Sequence, residues 1–119
     1  MEHHPTQDVT VEILAGAGGD IRIIKLRGPL TIHNFFDFQN LTREQPAPRD
    51  LIVDLTEVPY IDSAALGSLV GIHVSYGKAG RKYALANERL ERVFVISGVD
   101  QFLVTYPTVA DAEAALRNE

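Results

Sequence analysis

The sequence has no cysteine, no long apolar run and no excess of basic residues, and each absence excludes a class of protein. Without cysteine, the 119-residue chain has no disulfide framework, no cysteine nucleophile and no thiolate zinc site. Its longest apolar runs, such as 51–53 and 93–96, fall far short of the roughly 20 residues that a membrane helix needs. The net charge of −5 would repel a phosphate backbone, which argues against nucleic acid as a partner.

The chain length is typical of one domain. A domain contains about 100 to 200 residues, and one near this size folds without a metal or a disulfide. Residues 1–8 are polar and lack the apolar core of a signal peptide, so we predict a flexible tail before a single cytoplasmic domain over residues 9–119. The adjacent His3 and His4 are interpreted as solvated residues of that tail, and we expect no metal and no cofactor.

The hydrophobic pattern predicts the element order β-β-α-β-α-β-α-β-α. Alternation before and after a glycine-rich turn, 15–20, predicts an opening β-hairpin. Gly28-Pro29 ends its second strand, and Pro46 with Pro48 stops the first helix. The later strands are predicted at 51–55, 82–86 and 102–106, and the helices at 32–43, 63–76, 87–98 and from 108 onward.

The strand 51–55 is apolar except for one acid, which is typical of a central strand that runs parallel to its neighbours. An opening hairpin followed by alternating strands and helices favours an α/β fold. We therefore predict a mixed sheet with helices packed on it.

The segment 58–67 places a hydroxyl directly after the central strand and its loop. The pattern predicts Ser63 as the N-cap of the next helix, a structural role that contributes about 1 kcal/mol. One face of this helix, with Leu69 and Ile72, belongs to the core. Another side carries small residues, and because Gly67 and Gly71 each cost about 1 kcal/mol in a helix, a close contact is expected there, either within the chain or with another one.

These residues resemble a STAS domain, the module of anti-sigma-factor antagonists that also forms the cytoplasmic part of sulfate transporters. The resemblance covers nearly all of residues 9–116. It is carried by the opening hairpin, by the corner Gly28-Pro29-Leu30, by the strand 51–55, by the turn Asp62-Ser63-Ala64-Ala65-Leu66-Gly67, and by Ser97-Gly98-Val99 after the third helix.

The resemblance implies a non-enzymatic bacterial regulator that acts by partner switching. In such antagonists the serine at the position of Ser63 is phosphorylated by a kinase that is also the anti-sigma factor, and a phosphatase reverses the step. The unphosphorylated domain binds the kinase, which frees the sigma factor. ATP belongs to the kinase.

The predicted docking surface is the loop 58–61 together with the helix 63–75. Two departures from the family pattern affect it, because Thr31 stands where an acidic residue is common and the first helix is short. The residues expected to contact the partner are Thr31, Tyr60, Ile61, Asp62, Ala64, Gly67, Ser68 and Gly71.

Two catalytic readings compete with this interpretation. A hydrolase would use Ser63 as nucleophile with His33 or His73 as base and Asp54 or Asp62 as orienter, but the chain has no Gly-x-Ser-x-Gly elbow. A response-regulator receiver would use Asp54 as phosphoacceptor, yet the acidic pair that binds Mg²⁺ is missing after the first strand. A third hypothesis is that the chain is a STAS-like scaffold that binds a partner and is never phosphorylated.

Overall fold

The computed structural model describes residues 9–16, 20–44 and 50–117. The predicted tail with His3 and His4, the tip of the hairpin turn and the Pro46 segment lie outside these ranges. The strands are β1 (Thr10–Ala15), β2 (Ile21–Arg27), β3 (Asp50–Glu57), β4 (Tyr83–Ala86) and β5 (Thr105–Tyr106). The helices are α1 (Phe35–Glu44), α2 (Ser63–Lys78), α3 (Glu91–Ser97) and α4 (Val109–Arg117), with a short 3₁₀ helix at Val99–Gln101.

The five strands form one mixed sheet in the order β1-β2-β3-β4-β5. β1 and β2 are antiparallel, as the alternating hairpin pattern predicts, and each later neighbour pair is parallel. The central position of β3 confirms the prediction from its apolar run. Because four strands are parallel, their carboxyl ends meet at one edge of the sheet, where β3 leads into the loop before α2.

Helices cover both faces of the sheet, and the alternation of side chains along the strands explains the two core layers. On one face Val53 and its neighbours pack with residues of α1, α2 and α3. On the other face Ile52 packs with Ala84, Ala86 and the apolar side of α4. The hydroxyl of Tyr83 donates to the Leu69 carbonyl at 3.2 Å, and burial raises the pKa of this tyrosine well above its usual value.

The first helix, the third helix and the last strand are shorter than predicted. The first helix begins at Phe35, not at 32, because the Phe35 amide donates to the Thr31 carbonyl and residues 32–34 form a turn. The last strand contains only Thr105 and Tyr106, since the Leu103 amide donates to the Val99 carbonyl and keeps the preceding residues in a helical turn.

The helix ends follow local chemistry. Gly98 adopts a left-handed conformation with φ of +78° and ends α3, as expected for a C-cap glycine. The sequence pattern at Asn87, a good N-cap residue, predicts that the third helix starts there, but its side chain accepts from the Leu90 amide and stabilises the turn that leads into α3. The Thr108 hydroxyl accepts from the Asp111 amide at the start of α4, which agrees with the predicted start of the last helix at 108. No helix in the described ranges has the length and apolar character to cross a membrane.

The core face of α2 can be tested by truncating one buried and one exposed side chain. Leu69 is fully buried, whereas Val74 on the same helix is exposed. We expect Leu69→Ala to lower the free energy of unfolding by about 2 to 5 kcal/mol, because it leaves a cavity. Val74→Ala is the control and should change this free energy by about 0.5 kcal/mol or less. Urea denaturation measures both, and equal losses would contradict the assigned face.

Candidate functional site

The candidate site lies where the loop after β3 enters α2. Asp62, not Ser63, is the N-cap of α2, which corrects the sequence prediction. Asp62 has an extended backbone, and its Oδ1 accepts from the Ala65 amide at 2.9 Å. Ser63 is the first helical residue. The aspartate side chain therefore caps the helix, and the serine hydroxyl takes no part in the cap.

The second oxygen of Asp62 binds a different segment of the chain. Its Oδ2 accepts from the Ile32 amide at 2.9 Å. The backbones of the two segments also pair, since the Leu30 amide donates to the Tyr60 carbonyl at 3.0 Å and Leu30 and Ile61 form a parallel bridge. One carboxylate therefore joins the start of α2 to the corner that precedes α1.

The corner has its own network of hydrogen bonds. Gly28 begins it with φ of +102°, a conformation that favours glycine. The Asn34 side chain accepts from the Thr31 amide at 2.9 Å and donates to the Pro29 carbonyl at 3.0 Å. The Thr31 hydroxyl accepts from the His33 amide at 3.2 Å. These bonds fix the chain direction from β2 into α1.

Ser63 is exposed, so a partner can reach its hydroxyl. Among the described residues, no hydrogen bond involves this hydroxyl or the amides of Ser63 and Ala64. The first amides of a helix have no partner inside the helix, and Asp62 satisfies only that of Ala65. The site therefore presents a free hydroxyl beside two free backbone donors.

The structure brings most of the predicted contact residues together around Ser63 but leaves some of them buried. Tyr60 and Gly67 are exposed, and Asp62, Ala64 and Gly71 are partly exposed. In contrast, Thr31, Ile61 and Ser68 are buried, so their side chains lie below the surface on which the sequence prediction put them. Burial of Thr31 follows from its hydrogen bonds in the corner, and the Ser68 hydroxyl donates to the Ala65 carbonyl at 2.7 Å.

Two apolar residues near the site were missed by the prediction of the docking surface. Ile32 and Phe36 are 61% and 62% exposed, and Tyr60 is 57% exposed. All three lie on the segments that Asp62 joins or directly beside them, and we call them the apolar platform. The sequence could have indicated this exposure. Phe35 and Phe36 are adjacent in a short helix, so only one of them can lie on its core side.

The small residues of α2 do not surround a close internal contact. A side chain added at Gly67 would meet nothing within 4 Å, and one at Gly71 would meet only the Gln39 amide nitrogen at 3.6 Å. Packing against the described chain therefore does not require glycine at either position. Gly67 lies one turn after Ser63 on the same side of the helix, and its missing side chain leaves that side of Ser63 open.

The described residues do not form the catalytic site that the hydrolase hypothesis requires. Neither His33 nor His73 forms a hydrogen bond with the Ser63 hydroxyl in the described part of the chain. His73 lies ten residues further along α2, about 15 Å from Ser63 along the helix axis, and its half-buried ring is 6.5 Å from that of Tyr83. Within the described residues, neither histidine is therefore hydrogen-bonded to Ser63 as a triad base would be.

The carboxylate of Asp54 forms hydrogen bonds and an ion pair within the fold. Its carboxylate is buried and accepts from the Thr56 amide at 2.9 Å and from the Thr56 hydroxyl at 2.6 Å. Lys25 lies 3.8 Å from the other oxygen and 2.9 Å from Glu57. The hydrogen bond between Lys25 and Glu57 raises the pKa of the lysine and lowers the pKa of the glutamate. These contacts give no support to Asp54 as a phosphoacceptor.

The double role of Asp62 predicts an unequal response to two substitutions. Asp62→Ala removes the acceptors for Ala65 and Ile32 and should lower the free energy of unfolding by about 1 to 3 kcal/mol. Asp62→Asn keeps a capping oxygen and should cost less than about 1 kcal/mol. The exposed Asp100 provides a control, since Asp100→Ala should change stability by about 0.5 kcal/mol or less. Thermal or urea unfolding measures all three, and equal stability of the two alanine variants would contradict the assigned role.

Comparison with known proteins supports the resemblance. The chain is 38% identical over 64 residues to a Thermotoga neapolitana protein named "Putative anti-sigma factor antagonist TM1081 homolog". That match covers 52% of this chain and 57% of the relative, so the chain spans little more than half the length of the relative that it matches.

Solved structures share the fold. An anti-sigma factor antagonist from Mycobacterium paratuberculosis has a TM-score of 0.79 and 19% identity over 93% of this chain and 96% of its own. The anti-sigma factor antagonist SpoIIAA in its unphosphorylated form has a TM-score of 0.74 and 18% identity over 92% of this chain and 98% of its own. The family model of the STAS domain matches residues 12–112, which is most of the sequence, and the chain therefore belongs to the STAS domain family.

Proposed function

We propose that this protein is an anti-sigma-factor antagonist that acts by partner switching. Its unphosphorylated form binds an anti-sigma factor with serine kinase activity, and phosphorylation of Ser63 releases that partner. A phosphatase restores the binding form. The setting is a bacterial cytoplasm, and the protein itself catalyses no reaction. Similarity to relatives named as anti-sigma factor antagonists supports this proposal.

The observation that carries the proposal is the accessible Ser63 hydroxyl at the start of α2. A kinase must bring the γ-phosphorus of ATP to the oxygen that it modifies, so a buried hydroxyl could not serve. In the proposed step the bond between Ser63 Oγ and that phosphorus forms, the bond to the ADP oxygen breaks, and the hydroxyl proton passes to a basic side chain of the kinase. ATP is bound by the kinase, so this chain needs no nucleotide site.

A phosphate on Ser63 is compatible with the folded domain. It would add about −1.5 to −2 charges at the amino end of a helix, where the backbone dipole favours an anion. The amides of Ser63 and Ala64 supply donors for it. α2 has no acidic residue in its first turn, so Asp62 is the carboxylate beside the new charge. We therefore expect the modified protein to keep its fold.

The same phosphate acts differently when a partner covers it. The apolar platform and the open side of the helix at Gly67 offer a surface that a partner can cover, and the covered surface then excludes water. A phosphate enclosed there loses its water while Asp62 repels it, and an unpaired buried charge costs several kcal/mol. Since each 1.4 kcal/mol changes affinity tenfold, docking should be lost without unfolding.

Two substitutions at Ser63 test the switch. Ser63→Ala should bind the kinase at least as tightly as the unmodified protein and should stay bound in the presence of ATP. Ser63→Asp adds a charge at the same place and should bind at least about tenfold more weakly. The partner is first recovered by pull-down from the source cell with Ser63→Ala, and intact-mass analysis of the native chain reports phosphorylation.

The outcome also separates the switch from a scaffold. A native chain that is never phosphorylated, with a partner that binds both variants equally, would contradict the switch. That result would favour a STAS domain that serves only as a scaffold.

The open side of α2 gives a second test of docking. Gly67 and Gly77 both lie in α2, and an added side chain would meet nothing within 4 Å at either one. Gly67→Gln should weaken kinase binding about tenfold or more, because the new side chain stands in the contact area. Gly77→Gln is the matched control at the far end of the helix and should bind normally.

Both variants should be as stable as the parent or more stable, since glutamine is the better helix former by up to about 1 kcal/mol. A loss of binding in Gly67→Gln therefore cannot be attributed to unfolding. Normal binding by Gly67→Gln would remove this side of α2 from the docking surface.

A further inference from the structure

The Asp62 carboxylate forms hydrogen bonds with both α2 and the corner that carries Ile32. Its two carboxylate oxygens each accept one backbone amide, from Ala65 in α2 and from Ile32 in the corner, and both distances are 2.9 Å. Ser63 is its neighbour in sequence. We propose that Asp62 is a positioning residue that transmits phosphorylation of Ser63 to Ile32 and thereby disorders this member of the apolar platform; this inference rests on the proposed function of Ser63.

A phosphate on Ser63 acts on Asp62 in two ways. Both groups are anions on adjacent residues, so they repel each other. The phosphate also takes up the free amides of Ser63 and Ala64, which lie directly beside the Ala65 amide that Asp62 binds. Repulsion therefore moves the Asp62 carboxylate away from the phosphate, and one of its two hydrogen bonds opens.

The bond to Ile32 is the one that should open. It lies at an exposed position where water competes for the amide, whereas the bond to Ala65 is partly buried and closes the first turn of α2. A carboxylate that turns away from the phosphate can find solvent on the side of Ile32. Loss of this bond frees the chain between the Leu30 bridge and the start of α1.

The remaining bonds of the corner limit the change. The Leu30 amide stays paired with the Tyr60 carbonyl, and Asn34 still holds the Thr31 amide. Movement is therefore confined to Ile32, which is one of the three members of the platform. The partner loses an ordered apolar contact in addition to meeting the phosphate itself.

Amide hydrogen exchange measured by NMR on the full chain tests this coupling. Phosphoserine is installed at position 63 by genetic encoding, so no cellular kinase is needed. The Ile32 amide should exchange about tenfold faster than in the unmodified protein, because it has lost its acceptor. The amide of Leu66, which donates to the Asp62 carbonyl within α2, is the internal reference and should not change.

Two controls separate the coupling from a general effect of charge. Ser75 is exposed on the same helix, and phosphoserine at Ser75 should leave the Ile32 amide unchanged. In the Asp62→Asn background the single side-chain oxygen caps Ala65, the Ile32 amide has already lost its carboxylate acceptor and the repelling charge is gone, so phosphoserine at position 63 should speed Ile32 exchange by less than about threefold. Asp62→Ser, which also keeps a capping oxygen, replaces this variant if the asparagine protein does not fold.

Three results would overturn the proposal. They are unchanged exchange at Ile32 after phosphorylation, equal acceleration in the Asp62→Asn background, and acceleration of Leu66 together with Ile32, which indicates fraying of the whole helix start. None of them depends on the identity of the kinase. If the source cell never phosphorylates Ser63, the proposed function fails while the coupling stays measurable, and if only the coupling fails, direct repulsion remains the basis of the switch.

Discussion

The arrangement of the candidate site depends on the carboxylate of Asp62. It satisfies an amide of α2 with one oxygen and an amide of the corner before α1 with the other. Without it, the backbone pairing of Leu30 with the loop and the packing of the core would still join the two segments, but no side-chain hydrogen bond in the described residues would link Ile32 to the start of α2. A charged acceptor makes each of these bonds stronger than a neutral one would. The exposed hydroxyl and the apolar platform therefore keep a defined spacing.

The sheet and its helices could be predicted because burial leaves a periodic record in the sequence. Leu51, Val53 and Leu55 face one layer of helices while Ile52 faces the other, so a central strand has almost no polar position. The alternation in β1 and the left-handed Gly98 are equally direct consequences of local geometry. These signals depend on residues close in sequence, and they remain readable without knowledge of tertiary contacts.

The details of the site depend on contacts between residues that are distant in sequence, and local sequence patterns do not predict such contacts. Serine and aspartate are both good N-caps, so the pattern could not decide between Ser63 and Asp62. The choice falls on Asp62 because only its longer side chain also reaches Ile32, which is 30 residues away. The burial of Thr31 and the exposure of Phe36 have the same origin, since the turn at residues 32–34 delays the helix and changes which side chains face the core.

The proposed switch depends on the surroundings of one added charge, which is in water in the free protein and enclosed by an interface in the complex. In the free protein a phosphate on Ser63 would lie in water at a helix amino end, where the dipole stabilises an anion by about 0.3 to 1 kcal/mol. Inside an interface the same group would cost several kcal/mol. A domain of this size is stable by about 5 to 15 kcal/mol, so repulsion of Asp62 can open one exposed hydrogen bond without unfolding the sheet. A local charge can thus control binding because the sheet beneath it remains unchanged while the surface around Ser63 responds.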